Sequence, residues 1–210
     1  MSSLEGHIGE KRCGFITVEG IDGCGKTTMA KFTTKWLESR GFDAVYTVEP
    51  TSTWIGDSVK RGFSEPVGAF TEALLFMADR AEHTSQIRKW VSEGRIVVSD
   101  RYVDSTLAYQ GASLRMEGIE NAVDWLKAAS RPYVLVPDMT IFLRIDPALA
   151  MKRISGRPKM TKFETAEFLV EVDKVYEGLS RSEERFRIIE AAQPLNKVKS
   201  DIVRVLESTI

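Results

Sequence analysis

Phe15-Ile-Thr-Val-Glu-Gly20-Ile-Asp-Gly-Cys-Gly25-Lys26-Thr27 is the stretch that decides the fold. Its first five residues are a short β-rich run that ends at glycine, which reads as a buried strand. The next eight, Gly20 to Thr27, satisfy G-x-x-x-x-G-K-[ST] at every fixed position. Thr27 to Ser39 then reads as a helix, closed by Arg40 and Gly41. Strand, glycine-rich loop and helix in this order form a phosphate cradle. Glycines let the backbone wrap an anion, loop N–H groups point inward, and the helix N-terminus adds the positive end of its dipole. Lys26 supplies a mobile cation for β- and γ-phosphates, and Thr27 a hydroxyl for Mg²⁺. Gly20, Ile21, Asp22, Gly23, Cys24, Gly25, Lys26, Thr27 and Thr28 are therefore candidate ligands of a nucleoside triphosphate.

Further strands are predicted at Ala44–Val48, Ile96–Ser99, Met139–Ile145 and Phe186–Ile189. Helices are predicted over Ile55–Phe63, Ala69–Glu93, Ser105–Gly111, Ile119–Ala129, Pro147–Ile154, Thr165–Arg181 and Lys197–Ser208. Strands alternating with helices imply an α/β fold, a mostly parallel sheet with helices on both faces. Ligands of such sheets sit at the carboxyl ends of the strands. Glu19-Gly20, Glu49-Pro50 and Asp100-Arg101 all fall at that edge. On the long helix, Phe70, Leu74, Met77 and Ala81 recur at helical spacing, so they are expected to form its buried stripe.

The chain has 210 residues, with 29 Lys+Arg against 30 Asp+Glu and a net charge of −1. Nucleic-acid binders usually carry a basic surplus to displace counterions, so no nucleic-acid partner is expected. No apolar run approaches the ~20 residues that span a bilayer, so no membrane partner is expected either. Residues 1–12, MSSLEGHIGEKR, are polar and read as a flexible leader. Residues 13–210 then read as one domain. Cys13 and Cys24 have no C-x-x-C spacing, and a reducing cytoplasm is the expected setting.

The cradle defines a P-loop protein but not its reaction. A GTPase switch would carry N-K-x-D, whereas the nearest string, Asn196-Lys197-Val198-Lys199, ends in lysine. A transport or motor ATPase would carry further signature segments in a larger chain. A small phosphoryl transferase acting on a nucleotide fits the length. Another nucleoside or nucleotide kinase and a non-kinase switch ATPase stay open at this point. Phe76 and Arg80 share a helix face at i, i+4, off the expected stripe. An aromatic face beside a planar donor suits a nucleobase, although an ordinary buried Phe explains the pair alone more simply. Arg101 reads either as a phosphate-seeking cation or as a surface ion pair with Asp100.

Four strings together resemble the thymidylate kinase family, P-loop enzymes that phosphorylate dTMP to dTDP with ATP. They are Val18-Glu-Gly-Ile-Asp-Gly-Cys-Gly-Lys-Thr-Thr28, Leu75-Phe76-Met-Ala-Asp-Arg80, Asp100-Arg-Tyr-Val-Asp-Ser105 and Ala108-Tyr109-Gln110-Gly111. The resemblance runs from about Phe15 to the C-terminus. It implies a P-loop three-layer sandwich with a five-stranded sheet, ATP and Mg²⁺ as donor and cofactor, and a homodimer. It also implies residue roles. Asp22 resembles the residue that meets the 3′-hydroxyl of dTMP, and Phe76 the aromatic that stacks on thymine. Arg80 resembles the donor to thymine O4, and Arg101 the ligand of the acceptor phosphate. Ser105 and Gln110 would frame the thymine pocket, and Tyr109 would pack under the sugar. Asp100 would organise Mg²⁺ with Thr27, and Arg153 would lie along the adenine of ATP. Tyr102 and Trp90 read as core residues.

Two departures from the family pattern concern cations. The loop after the second strand often carries an arginine near the acceptor phosphate; here Val48 and Thr51 stand there, and Lys60 or Arg61 on the next helix are the substitutes. Gly23 occupies a position where some members carry a P-loop arginine. The chain thus resembles members that bring the cation from a lid, here Ser155–Glu164. Arg157, Lys159 and Lys162 are its cations, with Lys162 at the family's usual arginine position and Arg157 able to reach in instead. A phosphate monoester, with its second pKa at ~6, is mostly a dianion at pH 7 and needs no general base. The expected catalytic set is therefore cationic and positioning: Lys26, Arg101, Arg157, Lys162 and, with the metal, Asp100.

Overall fold

A computed structural model describes residues 13–65, 67–155 and 165–210. The leader read over residues 1–12 and the lid cations Arg157, Lys159 and Lys162 lie outside them. The strands are β1 (Phe15–Glu19), β2 (Ala44–Val48), β3 (Ile96–Asp100), β4 (Met139–Arg144) and β5 (Phe186–Glu190). The helices are α1 (Lys26–Ser39), α2 (Trp54–Arg61), α3 (Ala69–Ser92), α4 (Val103–Met116), α5 (Ala122–Ser130), α6 (Pro147–Ile154), α7 (Ala166–Ser182) and α8 (Leu195–Glu207). The strands pair in the order β2-β3-β1-β4-β5, and every pairing is parallel.

Burial explains which strands sit inside. Every residue of β1 and β3 is buried, and all of β4 but its last. Strands covered on both faces read as near-continuous apolar runs, as these do. The edge strands β2 and β5 are only partly buried. Thr17 and Thr140, opposite each other in the core of the sheet, satisfy one another at 2.9 Å. Helix α1 packs on β1, β2 and β3 and against α8, while α3 meets β3, α4 meets α7 and α7 meets β5. Register places Val18, Asp100 and Val48 side by side, so β1, β3 and β2 end at one level.

The stripe expected on α3 is corrected by the structure. Phe70 and Leu74 are 43% and 55% exposed. The buried face instead runs through Ala69, Ala73, Met77, Arg80, Thr84 and Ile87, and also takes in Glu72, Asp79 and His83. Apolar periodicity misled because this face carries charged groups that find partners inside the protein. Helix α4 starts at Val103 rather than Ser105 and runs to Met116. Tyr102 is fully buried, as expected, with its phenol oxygen bonded to Thr84 at 2.7 Å and accepting from Leu135 N at 3.2 Å. Trp90 packs half-buried against the core.

Candidate active site

The cradle leaves β1 at Glu19 and enters α1 at Lys26. Two of its glycines have no alternative. At Gly20 (φ +141°) a Cβ would lie 2.6 Å from the carbonyl oxygen of Leu143, and at Gly23 (φ +87°) it would lie 2.5 Å from that of Ala150. The loop thus rests on β4 and α6, and a side chain at position 23 would have to displace α6. The bare cradle noted in the sequence has this packing reason. Lys26 is not the free surface cation that a flexible lysine suggests: it is 6% exposed. Its Nζ bridges the loop, donating to the carbonyl of Ile21 at 2.8 Å and standing 3.7 Å from Asp22 Oδ1.

Arg101 follows β3 directly, and its guanidinium pairs with Asp22 of the cradle. The surface pair with Asp100 considered from sequence is replaced by this one. Arg101 also donates to Ser105 Oγ at 3.2 Å and lies over the Tyr109 ring, 5.1 Å from its centroid. The Tyr109 hydroxyl accepts from the backbone N–H of Asp22 at 2.9 Å. Burial and the Asp22 carboxylate hold that phenol well above its ordinary pKa, so it stays neutral. Among the described residues Arg101 is the one non-glycine with positive φ, +72°. Backbone of this kind costs roughly 1–3 kcal/mol and persists where neighbours over-determine it. Here its N–H reaches Val18 O at 3.1 Å, and its carbonyl accepts from Ser99 Oγ at 2.7 Å.

Thr27 Oγ1 donates to Asp100 Oδ2 at 2.5 Å, so the hydroxyl and carboxylate proposed for a metal are adjacent. Both are hard oxygen donors, the kind Mg²⁺ takes alongside waters and phosphates. No cluster of three or more acidic, His or Cys groups suited to a metal occurs among the described residues.

On α3, Arg80 is 1% exposed. Its Nη1 donates to Thr106 Oγ1 at 2.8 Å, and its Nη2 to Glu49 Oε2 at 2.6 Å and Tyr102 O at 3.0 Å. The buried Nε has no partner among the described residues. Glu49 is held in turn by His83 Nδ1 at 2.9 Å, and His83 Nε2 lies 2.7 Å from Thr47 Oγ1. Phe76, one turn back, is only half-buried, with the Phe63 ring 6.1 Å away. Gln110 is 1% exposed and contacts Glu72 at 3.4 Å. Ser105 lies deeper than a pocket frame would, donating to Glu19 at 2.7 Å.

The loop after β2, whose Glu49–Pro50 peptide is cis, is tied down by Asp79, which accepts from Thr51 N at 2.8 Å and Thr51 Oγ1 at 2.5 Å. Lys60 brings its ammonium to that loop, 2.6 Å from Thr51 O. Arg61 instead pairs with Glu65 on the surface. On the other side of the cradle, Arg153 donates to Ala191 O at 3.0 Å and reaches Gly23 O at 3.5 Å. It walls a cavity of about 230 Å³ together with Thr28, Gln193, Leu195 and Val198. Sequence reasoning missed Glu19, Glu49, Asp79, His83 and Tyr176. Glu19 and Glu49 did stand at strand ends, the one signal available.

A cradle with a cation at its mouth, an arginine facing it from the next strand end, and a half-open aromatic beside a buried arginine define a nucleotide phosphotransferase. Residues 18–202 match the family described as thymidylate kinase. A probable thymidylate kinase of Methanococcoides burtonii is 40% identical over 93% of this chain and 96% of its own. Those of Methanosarcina barkeri and Thermococcus onnurineus are 39% and 38% identical, covering 90% and 92% of this chain. The chain belongs to the thymidylate kinase family, and its reaction is the ATP-dependent phosphorylation of dTMP.

The contact between the cradle and α6 has a measurable consequence. Gly23→Ala should raise the KM for ATP on the order of tenfold, the equivalent of ~1.4 kcal/mol and the lower end of such backbone strain. Steady-state kinetics measure it, and an unchanged KM would contradict the packing reason for this glycine.

Proposed function

We propose that the acceptor dTMP lies between Arg101 and α3 and receives the γ-phosphoryl group from ATP seated on the cradle. The observation that carries this reading is the Arg101–Asp22 pair, which joins the end of β3 to the cradle. Arg101 holds the acceptor phosphate, and Asp22 meets the 3′-hydroxyl. Tyr109, stacked on Arg101, packs under the sugar where a 2′-hydroxyl would crowd it. Phe76 stacks on thymine. Arg80, with its Nη donors occupied and its Nε unpaired among the described residues, gives a buried donor to thymine O4. Ser105 acts behind Arg101, Gln110 closes the base pocket with Glu72, and Lys60 substitutes for the missing arginine of the loop after β2.

ATP takes the cradle from Gly20 to Thr28, with its adenine against Arg153 and the cavity that Arg153 walls. Thr27 and Asp100 would hold Mg²⁺, which supplies neutralising charge to the phosphates. The acceptor phosphate is the nucleophile and arrives as a dianion, so the protein's task is to suppress repulsion and fix an in-line geometry. Lys26 and Arg101 approach from two sides. Arg157 of the lid supplies the third cation, with Lys162 secondary. The domain spans residues 13–210 and works as a homodimer. Supporting that, Phe70 and Leu74 form an exposed apolar face on α3, and Phe70 meets Trp125 of α5 edge-on at 5.6 Å. The described residues contain no helix long and apolar enough to cross a membrane. We place the enzyme in the cytoplasm, where two buried, unpaired thiols, Cys13 and Cys24, are at home.

ADP release with dTMP, dUMP, dCMP, AMP and thymidine under matched conditions tests the base pocket. dTMP should be fastest, and faster turnover of AMP or thymidine would overturn the assignment. For the lid, Arg157→Ala should lower kcat by roughly 10²-fold or more, as loss of cationic fingers does in other phosphoryl transferases. Lys162→Ala should do less, with dTMP binding little changed in either. Near wild-type kcat in both variants would remove the lid cation from the account.

A further inference from the structure

Glu19 has no part in the roles assigned above, yet it lies at the centre of the polar network beneath the cradle. It is the last residue of β1 and fully buried. Its Oε1 accepts from the backbone N–H of Tyr102 at 2.7 Å. Its Oε2 accepts from the hydroxyls of Ser105 at 2.7 Å and Tyr176 at 2.8 Å. These contacts bracket Arg101. The Tyr102 N–H belongs to the peptide immediately after the left-handed residue, and Ser105 Oγ takes Arg101 Nη1 at 3.2 Å. Ser105 and Tyr176 are also within 3.0 Å of each other, which closes the ring.

Among the described residues, every hydrogen bond to Glu19 is one in which the carboxylate accepts, and an ionised carboxyl can only accept. Add a proton and one oxygen must donate. The proton on Oε2 would go to the oxygen of Ser105 or Tyr176. The displaced serine hydrogen would then turn to the Tyr176 oxygen 3.0 Å away, and the Ser105 oxygen would have to accept from both the acid and Arg101. Arg101 would keep its pair with Asp22 but hold a weaker contact to Ser105.

We propose that Glu19 is a positioning residue for the acceptor phosphate: as a carboxylate it seats Arg101 through the Tyr102 N–H and the Ser105 hydroxyl, and as a carboxylic acid it loosens the Ser105 half of that seat. This inference rests on the role given above to Arg101.

The charged surroundings put the change within working pH. Burial pushes the Glu19 carboxyl up to about 7, Asp104 on α4 pushes in the same direction, and Ser105, Tyr176 and Arg101 pull it down. Asp104 is itself paired through both oxygens with Arg185, just before β5, at 2.7 and 2.8 Å, and Arg185 also feels the charge of Glu19. The native chain therefore holds a proton that the unfolded chain releases near 4.5. Between 4.5 and about 7 the native state binds more protons, so stability falls as pH rises across that window.

The test is kcat of the full chain with saturating ATP and dTMP from about pH 5.5 to 9, for wild type, Glu19→Gln and Tyr176→Phe. Glutamine turns an amide NH₂ toward the two hydroxyls and so mimics the protonated acid at every pH. We expect Glu19→Gln to lower kcat at pH 8 by roughly 10²-fold, the scale of a misplaced catalytic group. It should also remove one of the two ionisations from the acid limb, leaving that of the acceptor phosphate, and flatten the fall of Tm with pH. Tyr176→Phe removes a donor that stabilises the carboxylate, so the acid limb should move to higher pH while the plateau holds. A merely structural role would change Tm and leave both pH profiles alone. Wild-type kcat and an unaltered acid limb in Glu19→Gln, with Tyr176→Phe unshifted, would overturn this inference alone. Absence of dTMP turnover by the wild type at every pH would overturn the reading of Arg101 and this inference with it.

Discussion

The ion pair between Arg101 and Asp22 is the constraint on which the site depends. It joins two chain segments 79 residues apart. They meet because β3 lies beside β1 in the sheet, with Asp100 level with Val18. Both side chains are 20% exposed, so the pair is largely covered by the protein. The pair matters for geometry. To make it, Arg101 adopts a left-handed backbone at a cost of roughly 1–3 kcal/mol, held by Val18, Ser99 and the N–H that follows. Asp22 also stands 3.7 Å from Lys26 Nζ, so the end of β3, the cradle and the start of α1 meet at one carboxylate.

A second constraint is the polar interior of α3. Most helices of an α/β protein turn an apolar stripe inward, but this one buries Glu72, Asp79, Arg80, His83 and Thr84. Buried polar groups must be paired, and each set here has a task. Asp79 fixes the loop after β2 through Thr51. Glu49 and His83 fix Arg80. The apolar residues left over, Phe70 and Leu74, face outward. One substitution of pattern thus produces both a polar, paired face inside and an exposed apolar pair outside.

This is also where the sequence was least legible. Strand positions, the cradle and the carboxyl-edge cluster followed from glycine, β-branched residues and spacing, and β1 and β2 agree residue for residue with expectation. Two of the four strings of the resemblance, Val18–Thr28 and Asp100–Ser105, meet because the register aligns the ends of β1 and β3. What spacing could not supply was pairing. Glu49 meets Arg80 across 31 residues, and Glu19 meets Tyr176 across 157. No local pattern encodes such distances. Periodicity chose the wrong face of α3 because it counts apolar residues, and the buried face there is largely polar. Burial of Lys26 was hidden for a related reason: a charged side chain reads as exposed until a carbonyl such as that of Ile21 is found to hold it.

The most direct test of the account is the single-turnover rate of phosphoryl transfer from ATP to saturating dTMP in Arg101→Ala, alongside circular dichroism to verify the fold. If Arg101 carries the acceptor phosphate, the rate should fall by about 10³-fold or more, the scale seen when a charge-stabilising arginine is lost from phosphoryl transfer. A folded variant within about tenfold of wild type, less than ~1.4 kcal/mol of the barrier, would contradict it.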